Sequence, residues 1–363
     1  MYLKVKQGSK KDHMWGINRL ILKMFEYAVR FPQFDKEEFE KFLEDDEIWS
    51  VKCYSPTGAF YKKIEELFGF SDAERRDIYR TIRHDMEFDR HIEDPGYLLE
   101  EDCLTERQRE TVKELIMYLY ENLFRNDKLI VNNQTTGYQA FMKSLFEKNS
   151  YFVCPACLTE QTNLMEYGEV DHYFPKKDYP ALVFHPVNLT AICGECNGFR
   201  VKGTKNPFRM GNLTELYIPY LRAAEEEVEL EIRWVEEKGE AGKSRRVRKM
   251  MMVPGIPDAS GLIDKRIRNM DELYALSKRW TYRMNATILR TLRGMRSERE
   301  ESNVKESLRV DADKKKRQAQ GDKAMLLEAT TLSYINAEGQ EAFLAEWRAQ
   351  QEDKEIMENF WEF

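Results

Sequence analysis

A chain of 363 residues is long enough to form two or three domains, each with a buried core. Hydrophobic residues make up 42% of it and charged residues 33%, which excludes a disordered chain and indicates a globular protein with charged surfaces. No apolar run reaches the roughly 18–20 residues that span a bilayer, and the N-terminus lacks the apolar core of a signal peptide. We therefore expect a cytoplasmic protein that does not engage a membrane.

Residues 1–148 are predicted to form a helical region. Two of its segments begin with capping-box patterns, Ser71 with Glu74 and Thr105 with Gln108, and apolar residues recur at helical spacing after each. The histidines of this region are isolated from one another in sequence. We expect no catalytic group here.

Residues 211–363 are predicted to form a C-terminal region with a β-hairpin and helices. The segment NLTELYIPYLRAA at its start is expected to be helical. Apolar and polar residues then alternate strictly over residues 228–234, which predicts a strand, and the run after a glycine-containing turn is expected to return as its partner. The helices that follow are basic at first and acidic later. The chain ends with the apolar set Phe360, Trp361 and Phe363, which we expect to pack on the core or to form an oligomer interface.

The net charge of −7 argues against non-specific binding to nucleic acid, but the charge is unevenly distributed. Residues 243–299 contain fifteen Lys/Arg against five Asp/Glu. A solvated helical face explains this excess. A surface that follows a phosphate backbone explains it as well, with Arg279 and Arg283 as its candidate contacts.

Between these two regions, residues 149–210 contain two CxxC pairs, Cys154 with Cys157 and Cys193 with Cys196. In a cytosolic chain, paired CxxC units are typical of metal ligands rather than of disulfides. Four thiolates would close a tetrahedral zinc site that has no open position, so we expect a structural zinc. Zinc would supply stability that a core of this small size cannot.

The order of the polar residues in this segment resembles the HNH endonuclease family. The pattern is Cys-x-x-Cys, then Asp171-His172, then Asn188-Leu189, then Cys-x-x-Cys followed by Asn197. The resemblance covers about 55 residues. Asn197 stands where the name-giving pattern has a second histidine, and this HNN form is itself a variant of the family.

The resemblance implies a small ββα-metal module and a role for each of these residues. His172 would be the general base that activates water, and Asp171 and Asn197 would hold one catalytic Mg²⁺ or Mn²⁺. Asn188 would fix the loop between the two strands and orient His172. Phosphate contacts near the metal are expected from four cations, namely Lys176, Arg200, Lys202 and Lys205.

We therefore expect an α+β, mainly helical protein with a zinc-stapled nuclease module between helical regions. The expected reaction is metal-dependent hydrolysis of phosphodiester bonds, with DNA as the expected partner. The setting is similar to bacterial anti-phage defence nucleases of the PtuB-like kind. Two alternatives stay open, a non-catalytic zinc module that binds nucleic acid or protein, and a partner-activated toxin that acts on RNA. A regulatory subunit and a homo-oligomer are left open as well.

Overall fold

The computed structural model describes residues 1–44, 51–53, 58–99, 103–149, 153–159, 168–238 and 244–352. The described chain is α+β and mainly helical, as the sequence predicts. It divides into two compact units. One unit comprises Met1–Ala156 and Gln161–Ala224, and the other comprises Cys157–Glu160 and Glu225–Phe363.

The first unit contains seven helices and five strands in its described part. The helices are α1 (Lys11–Arg30), α2 (Lys36–Glu44), α3 (Ala59–Glu65), α4 (Asp72–Asp85), α5 (Glu106–Tyr118), α6 (Tyr138–Asn149) and α7 (Gly194–Asn197). The strands are β1 (Val51–Cys53), β2 (Leu129–Val131), β3 (Gln134–Thr136), β4 (Gly168–His172) and β5 (Leu189–Cys193). The first three strands form one antiparallel sheet, and β4 and β5 form another. The core of this unit includes the apolar face of α1, which α4 packs against.

Two helix starts in the first unit follow the capping-box patterns of the sequence. Ser71 accepts from the backbone of Glu74 while the Glu74 side chain accepts from the backbone of Ser71, so the capping box of α4 is complete. Thr105 and Gln108 make the same reciprocal pair at the start of α5. Each box satisfies amides that a helix leaves without intrahelical partners. Both predicted starts are confirmed.

The helix α5 does not end regularly but continues into a π-helical turn, Leu119–Phe124. A π-turn inserts one extra residue and rotates the side chains that follow it. Tyr120 and Glu121 lie in this turn, and both take part in the site described below.

The prediction of a helix in NLTELYIPYLRAA is wrong. The segment contains one 3₁₀ turn, Leu213–Glu215, which Asn212 caps. Pro219 has no amide hydrogen to donate to a helix. Tyr220, which follows it, adopts φ 67°, a left-handed conformation that ends any regular helix.

The second unit contains a long hairpin followed by helices. The strands are β6 (Val228–Lys238) and β7 (Ser244–Pro254), and the helices are α8 (Leu262–Tyr274), α9 (Leu276–Gly294), α10 (Glu301–Gly321), α11 (Leu326–Asn336) and α12 (Gln340–Glu352). The predicted hairpin is confirmed, with Val228 opposite Pro254 and Lys238 opposite Ser244. Its turn and the apolar C-terminal set predicted to pack or to oligomerise lie outside the described residues.

The basic stretch of residues 243–299 is not wholly exposed in the second unit. Arg266 is buried, and its guanidinium pairs with the Glu227 carboxylate at 2.8 Å. Arg279 and Arg283 lie on α9 and are partly exposed. In the described part of the chain, no helix is long and apolar enough to cross a membrane.

Candidate active site

One strand pair and one helical turn carry the motif residues of the first unit. β4 ends at His172, which lies opposite Leu189 at the start of β5, and Asp171 lies opposite Thr190. β5 ends at Cys193, and α7 begins at the next residue and ends at Asn197. The local order is therefore strand, loop, strand and a single turn of helix.

The four predicted zinc ligands come together. The sulfurs of Cys154, Cys157, Cys193 and Cys196 all lie within 4.8 Å of one another, and all four residues are buried. The Cys154 and Cys196 sulfurs are 3.9 Å apart. Sulfurs about 2.3 Å from a tetrahedral zinc are separated by about 3.8 Å. This cluster could hold a metal such as zinc.

Backbone amides support two of these sulfurs. The Cys193 amide donates to the Cys154 sulfur at 3.4 Å, and the Cys196 amide donates to the Cys193 sulfur at 3.4 Å. Hydrogen bonds to sulfur favour the thiolate, which is the form that binds a metal. One of these bonds lies within the second CxxC loop, and the other joins the second loop to the first.

A cavity of about 540 Å³ lies beside β4 in the first unit. It gathers groups from the π-turn, from β4, from the loop after β4 and from the segment after α7. The residues lining it are Tyr120, Arg125, Tyr138, Glu169, Val170, Asp171, His172, Pro175, Lys176, Lys177, Asn197, Lys202, Gly203 and Thr204. Asp171, His172 and Asn197 therefore share one cavity.

Asn188 fixes the loop that follows β4. Its amide nitrogen donates to the carbonyls of Phe174 (3.1 Å) and Leu182 (2.9 Å), and its amide oxygen accepts from the Phe174 backbone at 2.7 Å. The Asn188 carbonyl also accepts from the Tyr173 amide at 2.9 Å. The side chain is fully buried and satisfied. These bonds fix the backbone of Tyr173 and Phe174, which directly follow His172, against the end of the loop at Asn188.

The carbonyl of Val183 orients the His172 ring. Its distance to Nε2 is 3.2 Å, and because a carbonyl can only accept, Nε2 carries the proton and Nδ1 carries the lone pair. The Tyr120 ring packs edge-on against the imidazole, with centroids 5.1 Å apart. Burial, helped by the ammonium groups of Lys176 and Lys202, lowers the pKa of His172 from 6.5 to about 3, against the effect of the Val183 bond. The imidazole is therefore neutral at pH 7.

Asp171 forms a buried ion pair with Lys202. The Lys202 ammonium lies 2.6 Å from Asp171 Oδ1 and 2.8 Å from the His172 carbonyl oxygen. The two side chains are only 2% and 1% exposed. Lys202 lines the cavity next to Asp171, and its predicted contact with phosphate near the metal stays a prediction.

Oxygen donors that suit a divalent metal line the same cavity. Glu169 and Asp171 are two residues apart on β4 and share a face of the strand. The Asn197 amide donates to Glu169 Oε2 at 2.6 Å, which joins the end of α7 to the strand. Carboxylate and amide oxygens are the ligands that Mg²⁺ and Mn²⁺ prefer. The donor set fits such an ion, although four cations, Arg125, Lys176, Lys177 and Lys202, line the same cavity.

The other predicted nucleic-acid contacts differ in their positions. Lys176 lines the cavity, where its ammonium pairs with Glu121 at 2.5 Å and lies 4.6 Å from the centre of the Tyr120 ring. Arg200 is exposed and Lys205 is partly exposed, and neither belongs to the lining. Arg279 and Arg283, as stated above, belong to the second unit.

Three residues of the helical N-terminal region line the cavity and were not predicted as site residues. These are Tyr120, Arg125 and Tyr138. The Tyr138 hydroxyl accepts from the Val170 amide at 3.1 Å, and the Arg125 guanidinium lies 5.5 Å from the centre of the Tyr138 ring. Burial raises the pKa of Tyr120, so its phenol keeps its proton. In sequence, Tyr120 follows a run of apolar residues with helical spacing and looks like a core residue.

Comparison with known proteins adds nothing to these observations. No family model, no curated protein and no solved structure matches the chain.

Proposed function

We propose that this protein is a metal-dependent endonuclease of the HNH type that hydrolyses phosphodiester bonds, with DNA as its substrate. The observation that carries the proposal is the shared cavity of Asp171, His172 and Asn197. These residues are apart in sequence, and their order resembles the HNH motif. The four-cysteine cluster adjoins them in the chain through Cys196.

His172 has the attributes of a general base. Its lone pair is on Nδ1, its other nitrogen is held by Val183, and its lowered pKa keeps it neutral at pH 7. A phosphate entering the cavity brings negative charge and raises the pKa of the imidazole, since an anion favours the imidazolium form. The His172 imidazole therefore binds a proton more tightly when substrate is bound.

In the proposed reaction, His172 Nδ1 takes a proton from a water molecule as the water oxygen attacks phosphorus. The bond between phosphorus and the 3′ oxygen breaks, and that oxygen leaves with a proton from solvent. The products are a 5′-phosphate and a 3′-hydroxyl. The Arg125 and Lys177 side chains, which are both exposed and line the cavity, offer cations to the phosphates on either side.

Asp171 and Asn197, with Glu169 beside them, would hold a divalent cation. When bound, such an ion supplies charge stabilisation for the phosphoryl oxygens and for the leaving oxygen. Lys202 holds the Asp171 carboxylate in one orientation through the bond at 2.6 Å. The zinc cluster would take no part in the chemistry, because a four-sulfur site leaves no position for substrate.

The experiment compares the wild type with His172→Ala on supercoiled plasmid and on single-stranded RNA, with Mn²⁺ or Mg²⁺ added. Loss of the base should lower the cleavage rate by about 10²–10⁴-fold. His91→Ala is the matched control, because His91 lies in the same unit but not among the residues that line the cavity. Equal rates for the wild type and His172→Ala would refute the proposal.

Two outcomes separate the alternatives. A wild type that binds zinc and nucleic acid but cleaves neither substrate with any added metal is a non-catalytic zinc module. Cleavage confined to RNA favours an RNA-acting toxin over a DNA nuclease.

A further inference from the structure

Phe199 is an exposed aromatic residue in the turn between Asn197 and Lys202, which both line the cavity. It is 93% exposed, more than any other large hydrophobic residue in the described part of the chain. Burying a phenylalanine fully is among the larger favourable contributions that one side chain makes to folding. One exposed hydrophobic residue is ordinary by itself, so its setting has to decide what it does.

The turn that carries Phe199 is held firmly at both ends. On one side is Cys196 of the four-cysteine cluster, and on the other is Lys202, which is buried against Asp171. The Lys202 amide donates to the Cys196 carbonyl at 3.2 Å, and the Val201 amide donates to the Gly198 carbonyl at 3.0 Å. The exposure of Phe199 is therefore not that of a loose loop.

Gly203 packs directly against the backbone of this turn. It has φ +50°, and a Cβ atom placed there would lie 3.1 Å from both the Cα and the carbonyl oxygen of Phe199. Gly203 itself lines the cavity, as do Asn197 and Lys202 on either side of the turn. The backbone of Phe199 is thus in contact with the cavity lining, and the side chains of Phe199 and Arg200 are both exposed.

We propose that Phe199 is a base-stacking residue and that the substrate of this site carries an unpaired base next to the bond that is cut. This inference rests on the proposed function and deepens it. A flat ring in water gains most by stacking on another flat ring, and every nucleobase offers such a face. In a regular duplex, both faces of each base are already stacked. An exposed ring on a fixed turn next to the cavity lining therefore favours a single-stranded stretch, and Arg200 offers a cation to its phosphates.

Binding is measured in the cleavage-deficient His172→Ala protein, so that the substrate stays intact. The probes are a single-stranded DNA oligonucleotide that contains 2-aminopurine and a blunt duplex of the same sequence. Phe199→Ala is expected to weaken binding of the single strand by about five- to 150-fold, the effect of losing one base stack. Phe199→Trp is expected to restore it.

The 2-aminopurine fluorescence should be quenched by the protein with Phe199 or Trp, and not by the protein with Ala at this position. Leu98→Ala is the control for removal of an exposed hydrophobic side chain from the same unit, since Leu98 is 61% exposed. It is expected to change neither affinity nor quenching. Because Phe199 is so exposed, its substitution should leave the urea midpoint unchanged.

Single-strand affinity that stays within twofold in Phe199→Ala overturns the inference. An equal loss of affinity for the blunt duplex also overturns it, because the ring would then serve duplex binding. The proposed function fails separately, if the wild type cleaves nothing or if His172→Ala cleaves as fast as the wild type.

Discussion

Replacing Lys202 with methionine tests the charge arrangement of the site. The ammonium lies 2.6 Å from Asp171 Oδ1, and the two side chains are 2% and 1% exposed. Methionine keeps much of the length of the lysine side chain but removes its charge, so a carboxylate is left inside the protein without this counter-ion. Removing one partner of a buried ion pair costs about 3–5 kcal/mol of unfolding free energy. We expect Lys202→Met to lose an amount in this range in metal-depleted buffer.

Adding a divalent cation should restore most of the unfolding free energy that Lys202→Met loses. If Asp171 is a metal ligand, Mn²⁺ can supply the missing positive charge, and saturation to 100 times the dissociation constant adds about 2.7 kcal/mol. Two unit charges 4 Å apart interact by about 4 kcal/mol at an effective dielectric constant of 20. Repulsion from the Lys202 ammonium should therefore make the wild type bind Mn²⁺ more weakly than Lys202→Met does.

The assay is urea unfolding followed by circular dichroism, with and without Mn²⁺, for the wild type, Lys202→Met and the double variant Lys202→Met/Asp171→Asn. The double variant contains neither charge, so it should be more stable than Lys202→Met and should not respond to Mn²⁺. A Lys202→Met protein as stable as the wild type would contradict the buried ion pair. A Mn²⁺ response equal to that of the double variant would show that Asp171 is not a ligand.

Further predictions concern histidine, cysteine and arginine residues. Burial lowers the pKa of both His172 and His185 to about 3 in the folded protein, so stability should fall as pH drops from 6.5 towards 3, by about 1.4 kcal/mol per pH unit for each. His185→Gln should remove the contribution of one histidine, so the unfolding free energy measured in urea should fall less steeply between pH 7, 6 and 5. Cys154→Ser should lower the zinc content from one ion per chain and destabilise the first unit, as mass spectrometry and circular dichroism can measure. Charge reversal at Arg279 and Arg283 should weaken DNA binding and reduce its dependence on salt in fluorescence anisotropy.

Each of these predictions has an outcome that contradicts it. An unchanged dependence of stability on pH in His185→Gln would show that His185 is not held neutral. Full zinc content in Cys154→Ser would exclude the four-sulfur site. Reversal of Glu272, an exposed acid on α8, should not weaken DNA binding. An unchanged salt dependence after the arginine reversals would exclude them as phosphate contacts.

The sequence predicted the local structure well wherever one short pattern decides it. The capping boxes at Ser71 and Thr105 and the alternation in β6 depend on neighbouring residues alone, and the structure has all three. Each CxxC loop brings its own two sulfurs near each other, whereas the meeting of all four sulfurs depends on contact between the two loops.

The rest of the site depends on packing between distant segments, which a single sequence does not display. Tyr120 reaches His172 because the helix shifts into a π-turn there, and the residues around it show ordinary helical spacing. Lys202 looks like a surface lysine in sequence, since nothing local indicates that Asp171, at a distance of 31 residues, is its partner. The fold of the segment after α7 brings the Lys202 side chain into the interior, next to Asp171 on β4.

If water activated by His172 hydrolyses a phosphodiester in this cavity, the oxygen of that water must appear in the product. The Mn²⁺ reaction is therefore run in ¹⁸O-labelled water, and the products are analysed by mass spectrometry. We expect the wild type and His91→Ala, but not His172→Ala, to form fragments with a 3′-hydroxyl and a 5′-phosphate that carries one ¹⁸O from the attacking water. Fragments without ¹⁸O, or the same yield from His172→Ala, would contradict this expectation.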